Sequence, residues 1–202
     1  MNKEQIIGKT IIGSHMWNMN HKNSDVDYFT IYKVPTYQIL TGAINPRSVF
    51  KTTDKEDNTY HEVGHVVNQL LKGNINFILG VLSPSVKIKS PEFIKLREII
   101  IDNIPKNIYH SIHGLAVANY KKYILSNKED TSKKRGTIAR TLTFGIRVLD
   151  GQGISFLPTT IWTEKNIESL IQTLDESYKF SALPETIPEK LLRDWLLKVR
   201  LS

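Results

Sequence analysis

The spacing of apolar positions changes character along the chain. Lys9 to Ile12 is rich in β-branched residues and runs into Gly13-Ser14, which predicts a strand followed by a turn. Val26 to Val34 (VDYFTIYKV) mixes aromatic and β-branched residues and predicts a second strand, ended by Pro35. Residues 36–50 show no clear period, and Lys51 to Asn58 (KTTDKEDN) is charged without apolar anchors, so it reads as a loop. Glu62 to Lys72 predicts a helix closed by Gly73, and Asn76 to Leu82 is a short apolar piece stopped by Ser83-Pro84. Beyond this point helices dominate. Pro91 opens one over 91–101, another is predicted over 108–126, and Asn127 to Gly136 reads as a basic loop. Ile138, Leu142, Gly145 and Leu149 then fall on one helical stripe, Asp150 to Gly153 is a turn, 167–174 is helical, and Pro188 starts a last amphipathic helix. Strands early and helices late define an α+β chain.

Composition narrows the class. The chain has 202 residues, 40% hydrophobic and 23% charged, which excludes a disordered, collagen-like or coiled-coil protein. Lys and Arg exceed Asp and Glu by 27 to 20, and the net charge of +7 suits an anionic partner without selecting one. The absence of cysteine excludes a disulfide scaffold, a thiol nucleophile and a Cys-ligated zinc. The polar start and the shortness of the apolar segments lead to the expectation of a cytoplasmic protein with no membrane partner. Gly13-Ser14-His15-Met16 has the form of a cleaved tag, but lies inside the chain and is read as native sequence.

Two motifs carry candidate chemistry. In the first, Gly13-Ser14 is followed ten residues later by Asp25-Val26-Asp27. Residues two apart on a strand share a face, so Asp25 and Asp27 present paired carboxylates, a costly arrangement unless a cation or proton lies between them. Mg²⁺ favours carboxylate oxygens and shares its shell with substrate phosphates, while a Gly-Ser turn offers backbone N–H groups and a hydroxyl to phosphate oxygens. The second motif is His61-Glu62-Val63-Gly64-His65, the H-E-x-x-H pattern. On a helix its imidazoles could bind zinc, with Glu62 as the general base of a metallopeptidase. Such helices have apolar turns before the first His, whereas Lys55 to Tyr60 is polar here, so the first motif leads.

That first motif belongs to a longer pattern. GSHMWNMNHKNSDVDYFTIY (13–32) resembles the signature of the DNA polymerase β-like nucleotidyltransferase superfamily, and more narrowly the RNA-ligase-associated (RNA repair pathway) predicted nucleotidyltransferases. The similarity continues through KGNINFILGVLSP (72–84), IHGLAVANYKKY (112–123) and KKRGTIARTLTFGIRVLDGQGI (133–154), and so spans about residues 9–175. Asn18 stands where the family has Gly, and Asn74-Ile75-Asn76 where it commonly has Asn-Pro-Asn.

The resemblance implies a small mixed-sheet nucleotidyltransferase core over 1–90 with a helical region over 91–202 packed on it. It implies Mg²⁺- or Mn²⁺-dependent transfer of a nucleoside monophosphate from a nucleoside triphosphate to an acceptor hydroxyl, with RNA as a candidate acceptor and pyrophosphate released. By position, Asp25 and Asp27 would hold the metals, and Glu62 would supply the third carboxylate. Gly13 and Ser14 would hold the triphosphate. Lys133, Lys134 and Arg140 are basic candidates for the same phosphates, and a guanidinium can grip phosphate with two donors at once. The zinc-peptidase reading through His61, Glu62 and His65, and a non-catalytic nucleotide- or RNA-binding protein of the same fold, stand as alternatives.

Overall fold

The computed structural model describes residues 6–43, 48–53, 56–126, 131–156 and 164–202. It has an α+β architecture built on a five-stranded mixed sheet of order β3-β4-β2-β1-β5. The strands are β1 (Ile6–Ile12), β2 (Val26–Tyr32), β3 (Val49–Thr52), β4 (Glu56–Glu62) and β5 (Val86–Lys89). β1 pairs antiparallel with β2 and β5, β3 pairs antiparallel with β4, and β2 and β4 run parallel. The helices are α1 (Gly13–Met16), α2 (Thr36–Leu40), α3 (Val63–Leu71), α4 (Ile75–Leu82), α5 (Pro91–Asp102), α6 (Ile108–Asn119), α7 (Thr131–Leu149), α8 (Glu164–Phe180) and α9 (Glu189–Leu201), with a π-helical turn over Tyr120–Leu125. No described helix is long and apolar enough to cross a membrane.

The chain forms two compact units, one of residues 1–103 with 187–202 and one of residues 104–186. In the first, α4 underlies the sheet. Its residues Ile75, Ile78 and Val81 are fully buried, and Thr10 Oγ1 donates to the Gly80 carbonyl at 2.7 Å. A Cβ on Gly80 would lie 2.5 Å from the Phe29 ring, so the missing side chain lets helix and strand approach. Asn74 caps α4 by accepting from the Asn76 N–H at 3.1 Å, which accounts for an asparagine at that position. α9 belongs to this unit. Trp195 Nε1 donates to the Glu92 carbonyl at 2.8 Å, and Lys33 Nζ to the Val199 carbonyl at 3.3 Å. In the second unit Ile112, Leu142, Leu149, Ile167 and Leu174 form the core, and Tyr109 stacks on Tyr178 at 4.1 Å. The stripe Ile138, Leu142 and Leu149 is buried, as its spacing implies.

Two local expectations change, and one unassigned segment gains an element. The charged stretch 51–58 contains the end of β3 and the start of β4, with Lys51 paired to Asn58 and Thr52 to Asp57. Cross-strand pairing overrides the low strand propensity of this sequence. The basic stretch read as a loop to Gly136 is helical from Thr131, while 127–130 lie outside the described residues. The apolar piece 76–82 is a helix, and β5 follows it across a short turn. α3 ends as expected, with Gly73 at φ 66° just past its C-cap.

Candidate active site

The Gly-Ser turn and the Asp-x-Asp pair meet at one end of the sheet. β1 leads into Gly13, and Ile12 pairs with Asp27 on β2. Gly13 has φ 65°, and a Cβ there would lie 2.0 Å from Asp27 Oδ2. Both facts demand glycine, because an L side chain is strained in that backbone region and would occupy the space of the carboxylate. Ser14 follows in α1, its carbonyl accepting from Trp17 and Met19 N–H groups at 3.2 and 3.0 Å. Trp17 is buried and packs as a core residue. Asn18, in place of the family's glycine, has φ 53°. Asparagine tolerates this left-handed conformation better than other side-chain-bearing residues, so the departure keeps the turn.

Asp25 is exposed just before β2, and Asp27 is half-buried on it. In the parallel register Asp27 lies beside Asp57 of β4, which is exposed. Neighbouring strands are about 4.8 Å apart and paired residues share a face, so these carboxylates lie side by side. Asp57 is the acidic residue that the sequence reading missed. It sits within the segment read as a loop, and only the β2–β4 register reveals it. The residues fit a hard divalent cation in donor chemistry, with phosphate and water oxygens completing the shell. Among the described residues no three acidic or imidazole groups are close enough together to hold an ion by themselves.

Glu62 is not brought to this end. It pairs in register with Tyr32, five residues further along β4 than Asp57, about 16 Å away at strand rise. It is fully buried and forms an ion pair with Arg200 at 2.5 Å, and its second oxygen accepts from Gly64 N–H at 2.7 Å to cap α3. This is a structural role at the far end of the strand from the Asp pair.

The H-E-x-x-H residues do not share a helix. His61 and Glu62 end β4, and α3 begins at Val63. The His61 and His65 rings stack with centroids 6.5 Å apart, and Phe77 packs edge-on against both. His61 Nδ1 lies 2.8 Å from Ser48 Oγ. Burial, and then the neighbouring His65, lower the His61 pKa to about 4. The folded protein therefore holds His61 neutral where the unfolded chain takes up a proton. Stability should fall as pH drops from about 6.5 to about 4, by up to about 3 kcal/mol, and level off below. Urea denaturation across that range checks this, and His61→Phe should flatten the profile.

The basic candidates lie in the second unit, on α7. Lys134 is exposed, with Nζ 4.9 Å from the Tyr123 ring centroid. Arg140 is half-buried, donates to Thr137 Oγ1 at 3.1 Å, and has its pKa lowered by burial. Lys133 belongs to α7, and its side chain is outside the described residues.

Residues 2–177 match the model of the RNA repair pathway DNA polymerase beta family (RlaP), and the chain belongs to that family. It is a nucleotidyltransferase of the polymerase β type, a class that acts on nucleotides and generally uses divalent metals. No curated protein matches the chain. A solved nucleotidyltransferase-like protein from Exiguobacterium sibiricum 255-15 is similar at 10% identity, over 98% of this chain and 74% of that one, with a TM-score of 0.36.

Proposed function

We propose that the protein transfers a nucleoside monophosphate from a nucleoside triphosphate to a hydroxyl of RNA. The acceptor oxygen bonds to the α-phosphorus, the bond from that phosphorus to the bridging oxygen breaks, and pyrophosphate leaves. The observation that carries this reading is the convergence of Gly13 and Asp27, where the glycine leaves room for the carboxylate. Gly13 and Ser14 would bind the triphosphate through backbone N–H groups and the serine hydroxyl. Asp25 and Asp27 would hold Mg²⁺ or Mn²⁺. Asp57, in register with Asp27, would complete the carboxylate set and take the acceptor's proton. A divalent ion bound there supplies charge neutralisation on the phosphates and a lowered pKa for the attacking hydroxyl.

The test is turnover. With Mg²⁺, RNA ending in a free hydroxyl and a triphosphate labelled at the α-phosphate, label should appear in RNA with one pyrophosphate released per nucleotide added. No pyrophosphate from any of the common triphosphates, with Mg²⁺ or Mn²⁺, would overturn the reading.

A further inference from the structure

The sheet has two unlike faces. α4 and α5 pack on one: Phe77 meets Phe29 and His61, and a Cβ on Gly8 would lie 2.3 Å from the Phe93 ring. By strand alternation the opposite face carries Lys9, Tyr28, Thr30, Asn58, Tyr60 and Lys51. The register sets them side by side. Lys9 pairs with Thr30, Tyr28 with Asn58, Thr30 with Tyr60, and Lys51 with Asn58. Tyr28 and Tyr60 are thus diagonal neighbours on adjacent strands. Lys9, Tyr28, Asn58 and Tyr60 are half-buried, Lys51 is exposed, and Thr30 between them is fully buried.

The composition of this face points to a ligand. Lys9 Nζ lies 3.7 Å from the Tyr28 ring centroid and Lys51 Nζ 5.2 Å from that of Tyr60. Among the described residues neither ammonium joins an ion pair, so both charges are available to an anion. Thr30 Oγ1 donates to Asn58 Oδ1 at 2.8 Å and Asn58 Nδ2 to the Tyr60 hydroxyl at 3.2 Å, which fixes the ring of Tyr60. Glu56 is the acidic neighbour, beside the Tyr28 phenol, whose pKa rises through burial and then through that carboxylate. Ordered aromatic rings with unneutralised lysines complement stacked bases and phosphates.

We propose that this face is a platform for single-stranded RNA, with bases stacking on Tyr28 and Tyr60 and phosphates drawn to Lys9 and Lys51. It rests on the reading of RNA as the acceptor and says where that strand lies. Tyr28 directly follows Asp27 in β2 and points to the opposite face, so RNA leaving the platform has to pass around that end of the sheet to meet the carboxylates.

The test is fluorescence anisotropy of a labelled single-stranded RNA of about ten nucleotides, a length within the range one such surface covers. Tyr60→Leu and Tyr28→Leu keep apolar area and remove the aromatic face. Each should weaken binding by roughly 10-fold, on the scale of one lost base stack, while Tyr60→Phe stays within about twofold of the parent. Lys9→Gln should reduce the slope of log affinity against log salt by about 0.7, one phosphate contact to a single strand. Mg²⁺–triphosphate binding, measured on the same variants, should be unchanged. Failure of triphosphate binding in the parent would count against the transferase reading. RNA binding that is intact in both Leu variants, absent from the parent, or replaced by a dimer that Tyr60→Leu dissociates would overturn the platform.

Discussion

Asp27→Asn should slow nucleotidyl transfer by about three orders of magnitude or more, a loss of about 4 kcal/mol of transition-state stabilisation. The amide matches the carboxylate in shape, so Gly13 still fits against it, and what disappears is the negative charge for a divalent cation. Asp27, two residues after Asp25, and Asp57 set like charge side by side at one end of the sheet. Removing one relieves repulsion, so the melting temperature without metal should hold or rise while turnover collapses. Asp57→Asn should behave in the same way. Glu62→Gln should do the opposite, lowering stability while the folded fraction keeps its turnover. Steady-state kinetics paired with thermal melts separate these patterns. Full turnover in Asp57→Asn, with turnover lost in folded Glu62→Gln, would return the third carboxylate to position 62.

Arg200→Ala should cost about 3–5 kcal/mol of folding stability, the range for stripping one partner from a buried ion pair. Glu62 has no exposed surface, and Arg200 is its charge partner at 2.5 Å. The same guanidinium donates to the Val34 carbonyl at 2.9 Å, so one side chain neutralises a buried acid and satisfies the backbone after β2. Arg200→Lys keeps the charge but cannot reach both acceptors with a fixed fork, and should fall between parent and Ala. The pair Glu62→Gln with Arg200→Met removes both charges together and should be far less damaging than Arg200→Ala alone. Equilibrium urea unfolding of the parent and these three variants measures the set.

The turn and the first two strands are legible in the sequence because their signals are local. A β-branched run into Gly-Ser, an aromatic-rich strand ended by proline, and a helix closed by Gly73 each carry their own punctuation. The lost pieces are decided by partners far away in sequence. Lys51 to Asn58 has no apolar pattern, and its described ends, Lys51 and Thr52 in β3 and Glu56 to Asn58 in β4, form strand because they pair with each other and β4 with β2. With that segment read as loop, Asp57 has no register and cannot be seen as the neighbour of Asp27. Glu62 looks catalytic in sequence because it falls where the family's third carboxylate is expected and also inside H-E-x-x-H, and its buried partner is 138 positions away at Arg200. Nor can the amphipathic pattern of α9 say which surface it covers. That it docks on the sheet's own unit follows only from Trp195, Val199 and Arg200 reaching back to α5 and to the segment just after β2.

The division of the first unit between residues 1–103 and 187–202 has a consequence for synthesis. As the chain leaves the ribosome, the sheet and α3 to α5 emerge first, and Glu62 then waits without its cation. Residues 104–186, a contiguous unit, emerge and can collapse before Arg200 has been translated. The later-made unit can thus be finished before the earlier one, the reverse of the usual N-terminal-first order. Until Pro188 to Leu201 appear, the surfaces of α3 and α5 on which α9 packs stay uncovered, so a pause or truncation within the last helix would leave an aggregation-prone intermediate with the candidate active-site residues already made.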